Sequence, residues 1–161
     1  TETVTETTTE TVTETTTTTQ TVTVPAAKFE GPVKMGGFYP LTGLWASEGR
    51  EFTRGAELSI DVWGWLIEEY LGTTIELITV DIEDKTVDKV VSAVERLATR
   101  EKVHVLVAGY PSWTGADCDV AAKYKIPYGH VDTSHLVAQK QRDQEKYWMC
   151  FHADPYETWY G

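Results

Sequence analysis

Side chains that could bind a small polar molecule are concentrated in three short segments, each of which follows a predicted strand. The candidates are Trp45, Ser112, Trp113, Asp132, Thr133 and Ser134. Hydroxyl groups can hydrogen-bond a carboxylate, a carboxylate side chain can pair with an ammonium group, and indole rings supply an apolar wall. These side chains suit a binding site.

The segment 112–114 has two interpretations. It opens a predicted helix, whose free backbone amides and dipole favour an anionic group such as a carboxylate. Ser and Thr are also preferred at helix N-caps everywhere. The alternative, which the sequence alone slightly favours, is that Ser112 or Thr114 only caps the helix.

Familiar signatures of catalysis and metal binding are missing. The loop 39–45 is neither a Gly-rich dinucleotide loop nor a phosphate-binding loop, and no Gly-x-Ser-x-Gly elbow occurs. The acidic cluster 81–84 follows the second predicted strand, away from the expected ligand site. Cys118 and Cys150 lack metal-ligand spacing, and we favour buried free thiols over the alternative of a disulfide. We therefore expect no enzyme, no metal and no cofactor, which disfavours a flavodoxin-like protein.

The elements that must position the candidates alternate between strands and helices. Apolar patterns predict strands over residues 33–39, 75–80, 103–108, 126–131 and 147–152, and helices over 47–71, 87–98, 114–124 and 134–142. Such alternation implies a parallel sheet with right-handed crossovers. We predict an α/β, doubly wound parallel sheet of order 2-1-3-4-5. Its ligands would bind at the carboxyl ends of the strands, where strands one and three separate.

The longest predicted helix has defined ends and one apolar face. Ser47 is its expected N-cap and Gly72 its expected stop. Residues spaced by three or four predict one face that packs on the sheet. They are Phe52, Ala56, Ile60, Trp63, Ile67 and Tyr70.

Composition divides the chain into two parts. The 161 residues carry a net charge of −11, which argues against a nucleic-acid partner, and no apolar run approaches the roughly 20 residues of a membrane span. Among residues 1–20, thirteen are Thr and four are Glu. Because this stretch has little to bury, we predict a disordered Thr/Glu-rich stalk over 1–30 and one ordered lobe over 31–161. The chain begins with Thr rather than Met, so we expect a processed form or a fragment.

Several segments together resemble one known family. Residues 38–43 read Phe-Tyr-Pro-Leu-Thr-Gly, Gly49 follows, and residues 54–58 read Arg-Gly-Ala-Glu-Leu. With the segments 109–112 and 126–128, this order is similar to type I periplasmic binding proteins, in particular the branched-chain amino-acid (Leu/Ile/Val) receptors of ABC transporters. The similarity extends over about residues 31–161, without large gaps.

The resemblance implies a function. Family members have two similar lobes that close on a small ligand, and this chain holds only the first lobe. We expect an extracellular binding component that delivers an amino acid or related small polar solute to the membrane permease of an ABC importer. The alternative is a ligand-sensing domain of a receptor with the same fold. The resemblance further implies a cell-surface location, in which the Thr-rich stalk leads to a missing membrane anchor.

The resemblance also assigns roles to the candidate residues. Residues 110–113 correspond to the stretch that binds the ligand carboxylate through hydroxyl and amide groups. Residues 132–134 correspond to the stretch that helps to hold the ammonium group of an amino acid. Many members carry an aromatic residue directly before Gly49, where this chain has Glu48. Trp45 is expected to replace that aromatic residue from three positions upstream.

Overall fold

A computed structural model describes residues 2–7, 17–22, 30–131 and 135–153. Within the Thr/Glu-rich part, strand β1 (Glu2–Thr7) pairs antiparallel with strand β2 (Thr17–Val22). These two stretches are therefore extended and paired in the structure. Thr is β-branched and favours extended backbone, so a Thr-rich segment can pair with itself although it buries little. The role of residues 1–30 as a stalk stays a prediction.

A second, five-stranded sheet forms the centre of the lobe. Its strands are β3 (Val33–Tyr39), β4 (Ile75–Asp81), β5 (Val105–Gly109), β6 (Tyr128–Val131) and β7 (Cys150–His152). All four neighbouring pairs are parallel, and the spatial order is β4-β3-β5-β6-β7. Counted from β3, this is the order 2-1-3-4-5, so the predicted doubly wound α/β fold is confirmed.

The helices connect these strands. They are α1 (Ala46–Leu71), α2 (Val87–Arg96), which continues as a π-helical turn over Leu97–Glu101, α3 (Ala116–Tyr124), α4 (His135–Gln141) and α5 (Gln144–Tyr147). No helix in the described ranges combines the length and the apolar character needed to cross a membrane.

The ends of α1 agree only partly with the prediction. Gly72 adopts a left-handed conformation with φ 67° and its amide donates to the Glu68 carbonyl, so the predicted stop is confirmed. Ser47 is not the N-cap, because the helix already begins at Ala46, after Trp45, and no side chain caps it. The tight turn over residues 42–45 starts the helix without a capping side chain.

The last strand begins later than predicted. Tyr147 belongs to α5, and only residues from Cys150 onward are extended. Asp143 accepts a hydrogen bond from the Lys146 amide and so caps a short helix within this region. The local cap explains why an apolar run that resembles a strand is helical at its start.

One face of the sheet carries the main core. Val90, Val94 and Leu97 of the α2 region and Cys118 and Ala121 of α3 are all fully buried against it. Both cysteines are buried and form no disulfide, and the Cys150 sulfur lies 3.9 Å from the Cys118 carbonyl oxygen. This face is the tightly packed side of the lobe.

The other face is covered by α1 only in part. Trp63 and Tyr70, which were predicted to pack on the sheet, are 60% and 69% exposed. A groove of about 430 Å³ remains between α1 and the sheet, lined by Met35, Ala56, Ser59, Ile60, Trp63, Leu66, Ile67, Ile75 and Val107. The prediction of one fully packed stripe is therefore wrong at these two positions. Among the described residues α1 is the only helix on this face, since right-handed crossovers place α2 and α3 on the opposite one.

Candidate functional site

The candidate site lies where the loops after β3 and β5 meet. These strands are neighbours at the centre of the sheet, and their chains leave in opposite directions toward β4 and β6. The rings of Trp45 and Tyr110, one from each loop, have centroids 6.2 Å apart, and Tyr110 contacts Phe52 edge-on at 5.0 Å. The topological switch point, where the strand order predicts a ligand, therefore carries a cluster of aromatic side chains.

Two glycines permit the close approach of these loops. A β-carbon at Gly49 would collide with the carbonyl group of Pro40, and one at Gly109 would collide with the ring of Phe52. Neither clash could be relieved by moving a flexible side-chain end. The loop after β3 and the end of β5 can therefore approach the start of α1 only because both positions lack a side chain.

Lys85 occupies the middle of the aromatic cluster. Its ammonium nitrogen lies 4.1 Å from the ring centroid of Trp45, 5.0 Å from that of Trp113 and 5.4 Å from that of Tyr110. The residue is only 8% exposed. Each distance falls within the range of a cation–π interaction. Two predicted site residues, Trp45 and Trp113, are thus brought together around a lysine that the sequence analysis missed.

Lys85 reaches this position through an unusual loop between β4 and α2. Glu83 and Lys85 both adopt left-handed backbone conformations, with φ of 50° and 60°, which few residues other than glycine adopt. The Lys85 amide donates to the Ile82 carbonyl at 2.9 Å, which closes the turn. The sequence analysis placed the acidic cluster 81–84 away from the site and did not consider Lys85, which directly follows it. A single basic residue after three acidic ones was the available signal.

Asp81 connects the loop of Lys85 with the loop that leads to Trp45. Its Oδ1 atom accepts hydrogen bonds from the amides of Leu41 and Glu83, each at 2.8 Å, and its Oδ2 atom accepts one from the Thr42 hydroxyl at 2.7 Å. Desolvation raises the pKa of Asp81, but these hydrogen bonds to the ionised form outweigh it and leave the pKa below its usual value. Asp81 therefore has a structural role, which is to hold two loops of the site together.

Ser112 is a buried residue in a hydrogen-bond network rather than an open donor. It is 7% exposed, and its hydroxyl donates to Asp117 Oδ1 at 2.9 Å. The Tyr128 hydroxyl donates to the other oxygen of Asp117 at 2.5 Å. Helix α3 starts after Gly115, whose φ is 66°, and no side chain caps it. The interpretation of Ser112 or Thr114 as an N-cap is therefore wrong.

Asp117 is the most deeply buried acid of the described residues. It is 1% exposed. Desolvation raises its pKa, and the hydrogen bonds from Tyr128 and Ser112 oppose this effect without cancelling it. The same burial raises the pKa of Tyr128 well above its usual value. The network of Ser112, Asp117 and Tyr128 fixes the start of α3 beneath the site.

The remaining predicted site residues, Asp132, Thr133 and Ser134, lie outside the described residues. Their flanking elements are described, since β6 ends at Val131 and α4 begins at His135. Strand β6 itself lies next to β5 in the sheet. Within the part of the chain that the structure describes, no group of three or more His, Cys, Asp or Glu side chains could hold a metal ion.

The doubly wound sheet, with its candidate loops at the switch point, has the fold of one lobe of a type I periplasmic binding protein. The sequence pattern of the family described as periplasmic binding protein matches residues 32–159. The chain belongs to the periplasmic binding protein family. Its members and the structural neighbours are solute-binding proteins and not enzymes.

Solved structures with the same fold come from several bacteria. A branched-chain amino acid ABC transporter protein from Silicibacter pomeroyi is 36% identical, with a TM-score of 0.75 over 81% of this chain and 33% of its own. The branched-chain amino acid substrate-binding protein LivJ from Streptococcus pneumoniae, in complex with isoleucine, is 22% identical, with a TM-score of 0.58 over 75% of this chain and 33% of its own. A solute-binding protein from Rhodopseudomonas palustris, in complex with 3,4-dihydroxybenzoic acid, is 21% identical, with a TM-score of 0.57 over 75% of this chain and 31% of its own.

These comparisons support the predicted family and show how much of its relatives' length this chain spans. Two of these three neighbours are described as branched-chain amino acid ABC-transporter proteins, as the resemblance implied. The chain spans about a third of the length of these solved relatives and corresponds to their N-terminal lobe. No functionally curated protein matches it.

Proposed function

We propose that this chain is the N-terminal lobe of an extracellular solute-binding protein that serves an ABC importer. Its ligand is a small polar solute, an amino acid or a related compound, which binds in a cleft between this lobe and a second one. The observation that carries the proposal is the meeting of the loops after β3 and β5 at the switch point, where Trp45, Tyr110 and Trp113 surround Lys85. The 36% identity with a branched-chain amino acid transporter protein supports it.

The proposed cleft uses the residues that the sequence singled out. Trp45 and Trp113 would form an apolar wall, and Trp113 is 51% exposed, so part of its surface is accessible to a ligand. Ser112 supports the same loop from below. Asp132, Thr133 and Ser134 follow β6 at the neighbouring position and would contact the polar end of the solute.

The proposed location is outside the cytoplasmic membrane, as for the family. Residues 1–30 would act as a tether between an anchor and the lobe, and the partner at the membrane would be the permease of the importer. A Thr- and Glu-rich segment is well solvated and suits such a spacer. No nucleic acid takes part in this proposal.

Binding measurements on the full reading frame that contains this chain test the proposal. Isothermal titration with L-leucine, L-isoleucine, L-valine and benzoate should show binding of at least one of these solutes in the micromolar range. A Trp113→Ala variant should weaken that binding, since it removes an exposed ring next to the cluster. Trp148→Ala is the control, because Trp148 is 63% exposed but lies in the connection between α5 and β7. Absence of binding to every solute in the panel would contradict the proposal.

A further inference from the structure

The only two cysteines of the chain meet in the packed face of the lobe. Cys118 lies in the first turn of α3, and Cys150 begins β7, 32 positions later. The Cys150 sulfur lies 3.9 Å from the Cys118 carbonyl oxygen. The two thiols also hydrogen-bond each other, which raises the pKa of Cys118 and lowers that of Cys150. Two side chains that the sequence alone could not connect are therefore in contact.

Tyr128 of β6 holds the backbone on one side of this contact. Its hydroxyl donates to Asp117, directly before Cys118, at 2.5 Å. In the sheet Tyr128 is the partner of Cys150, and its amide donates to the Met149 carbonyl at 2.8 Å. One residue thus links the α3 segment to the β7 segment, and these two segments carry the two sulfurs.

Tyr147 of α5 forms a second link between the same segments. Its hydroxyl donates to Asp119, directly after Cys118, at 2.5 Å, and the chain reaches Cys150 three residues later. The Lys140 ammonium group also donates to Asp119. The residues on both sides of Cys118 are therefore fixed by hydrogen bonds in which neither sulfur takes part, so the approach of the two thiols is built into the fold.

Apolar packing or a metal ion could also bring two thiols together. Buried thiols pack as small hydrophobic groups, but such packing does not require them to face each other. A metal ion needs further ligands, and among the residues that the structure describes no group of three or more His, Cys, Asp or Glu side chains could hold one. Two cysteines that are far apart in sequence and in contact in the fold are typical instead of a disulfide in an exported protein.

We propose that Cys118 and Cys150 are joined by a disulfide in the exported protein and that this bond links α3 to β7. The inference rests on the extracellular location in the proposed function, because disulfides persist in oxidising compartments. The oxidant is a small-molecule or protein disulfide. The thiolate of one cysteine attacks it and forms a mixed disulfide, which the second cysteine then attacks. The oxidant receives two electrons and the two thiol protons and leaves as two thiols.

Burial determines when this reaction occurs. Cys118 is fully buried and Cys150 is only 8% exposed, so a dissolved oxidant has little access to either sulfur in the folded lobe. The bond therefore forms during folding, before α3 packs against the sheet. Once formed, it closes the loop from α3 to β7 and restricts the unfolded chain, which stabilises the folded protein.

The experiment follows the two thiols while the full reading frame that contains this chain folds. The unfolded, reduced protein is folded in a mixture of reduced and oxidised glutathione, and the remaining thiols are blocked with a maleimide in urea. Proteolytic peptides are then mapped by mass spectrometry. Urea unfolding of the oxidised and the reduced protein gives the two unfolding equilibrium constants. The control is the double variant Cys118→Ala, Cys150→Ala, which cannot form this bond.

Most wild-type molecules should yield a cross-linked peptide that contains Cys118 and Cys150. Reduction should raise the unfolding equilibrium constant of the wild-type protein about a hundredfold or more, since the open loop returns conformational freedom to the unfolded chain. The double variant should lack this effect. The comparison of one sequence in two redox states needs no substitution, so it stands even if the double variant does not fold.

Three results would overturn the inference. The disulfide is wrong if both cysteines carry the maleimide after folding, or if either bonds only to another thiol. It is also wrong if the bond forms but leaves the oxidised protein no more stable than the reduced one, because the native geometry then does not accommodate it. The solute titrations described above are a separate readout. Solute binding without the bond rejects only the disulfide, whereas the bond without solute binding rejects only the proposed function.

Discussion

Helices α2 and α3 bury one face of the five-stranded sheet, whereas α1 leaves much of the opposite face open. On the first face, Val90, Val94, Leu97, Cys118 and Ala121 are all fully buried. On the second face, grooves of about 430 and 310 Å³ remain beside α1, and Gly49 is the only residue of α1 that is buried. The two faces thus differ in packing although the same five strands form both.

This difference shows which face of the sheet the described residues cover without further sequence. Apolar burial is the main favourable term in folding, so the α2–α3 face should supply most of the stability of this chain. The α1 face instead exposes apolar surface, which in a soluble protein marks a place where something else packs. The candidate ligand site lies at the edge shared by both faces, where the loops after β3, β4 and β5 meet.

The largest expected effect comes from a cavity on the packed face. Leu97→Ala should lower the free energy of unfolding of the 161-residue chain by about 2–5 kcal/mol, because Leu97 is fully buried and the space cannot fill with water. Leu66→Ala makes the same chemical change beside the open groove and should cost clearly less. Urea unfolding followed by circular dichroism measures both.

Equal costs for Leu97→Ala and Leu66→Ala in this chain would contradict the comparison of the two faces. Measuring the same two variants in the full reading frame tests the comparison of the two faces more sharply. If further sequence covers the α1 face there, the cost of Leu66→Ala should rise toward that of Leu97→Ala.

The contribution of the packed α2–α3 face to the free energy of unfolding should also depend on pH. Desolvation, with a smaller contribution from the neighbouring His152, lowers the pKa of His130 to about 4, and the two rings lie 5.1 Å apart. A folded pKa below the unfolded value of about 6.5 means that the unfolded chain binds more protons between these values. The stabilisation is therefore complete above pH 6.5, and about 3 kcal/mol should be lost as the pH falls toward 4.

The pH dependence is checked by urea unfolding at intervals between pH 4 and 7. His130→Gln should remove most of this part of the slope, whatever its effect on stability at pH 7. A wild-type stability that stays constant from pH 6.5 to 4.5 would mean that His130 is already charged in the fold, and hence that this face is less dry than its packing indicates.

A smaller effect concerns self-association through the open face. Trp63 lines the groove beside α1 and is 60% exposed, whereas Trp65, at 54%, does not line it. We expect the isolated chain to self-associate through this groove. Trp63→Ser should reduce that association in sedimentation velocity experiments, because it removes apolar surface from the groove. Trp65→Ser serves as the matched control. An equal effect of both variants would show that association does not involve this groove.

The sequence predicted the parts of the molecule that depend on pattern. The repeated strand–helix units predicted the strand order. Gly72 was predicted to end the helix because glycine readily adopts the left-handed conformation found there. The sequence also placed Trp45 and Trp113 near the switch point. The place of Lys85 among the aromatic rings could not be predicted. It depends on left-handed conformations at Glu83 and Lys85, which residues other than glycine rarely adopt.

Other misses have local causes. The bond between Ser112 and Asp117 joins a loop to the first turn of α3, and no spacing rule for helices or strands covers it. The exposure of Trp63 and Tyr70 depends on what else lies on the α1 face, which an amphipathic pattern alone does not reveal. In each case the missing information was three-dimensional.

The smallest expected effect separates ion pairing from apolar packing on the α2–α3 face. Lys123 of α3 lies 2.9 Å from Glu95 of α2, and both side chains are about half exposed. The hydrogen bond to Glu95 raises the pKa of Lys123, but exposed pairs of this kind gain little because water solvates and screens both charges. Glu95→Gln should therefore leave the urea midpoint within experimental scatter, in contrast to Leu97→Ala on the same face. A loss comparable with that of Leu97→Ala would mean that charge pairing between α2 and α3, rather than the buried apolar side chains, makes this face the stable one.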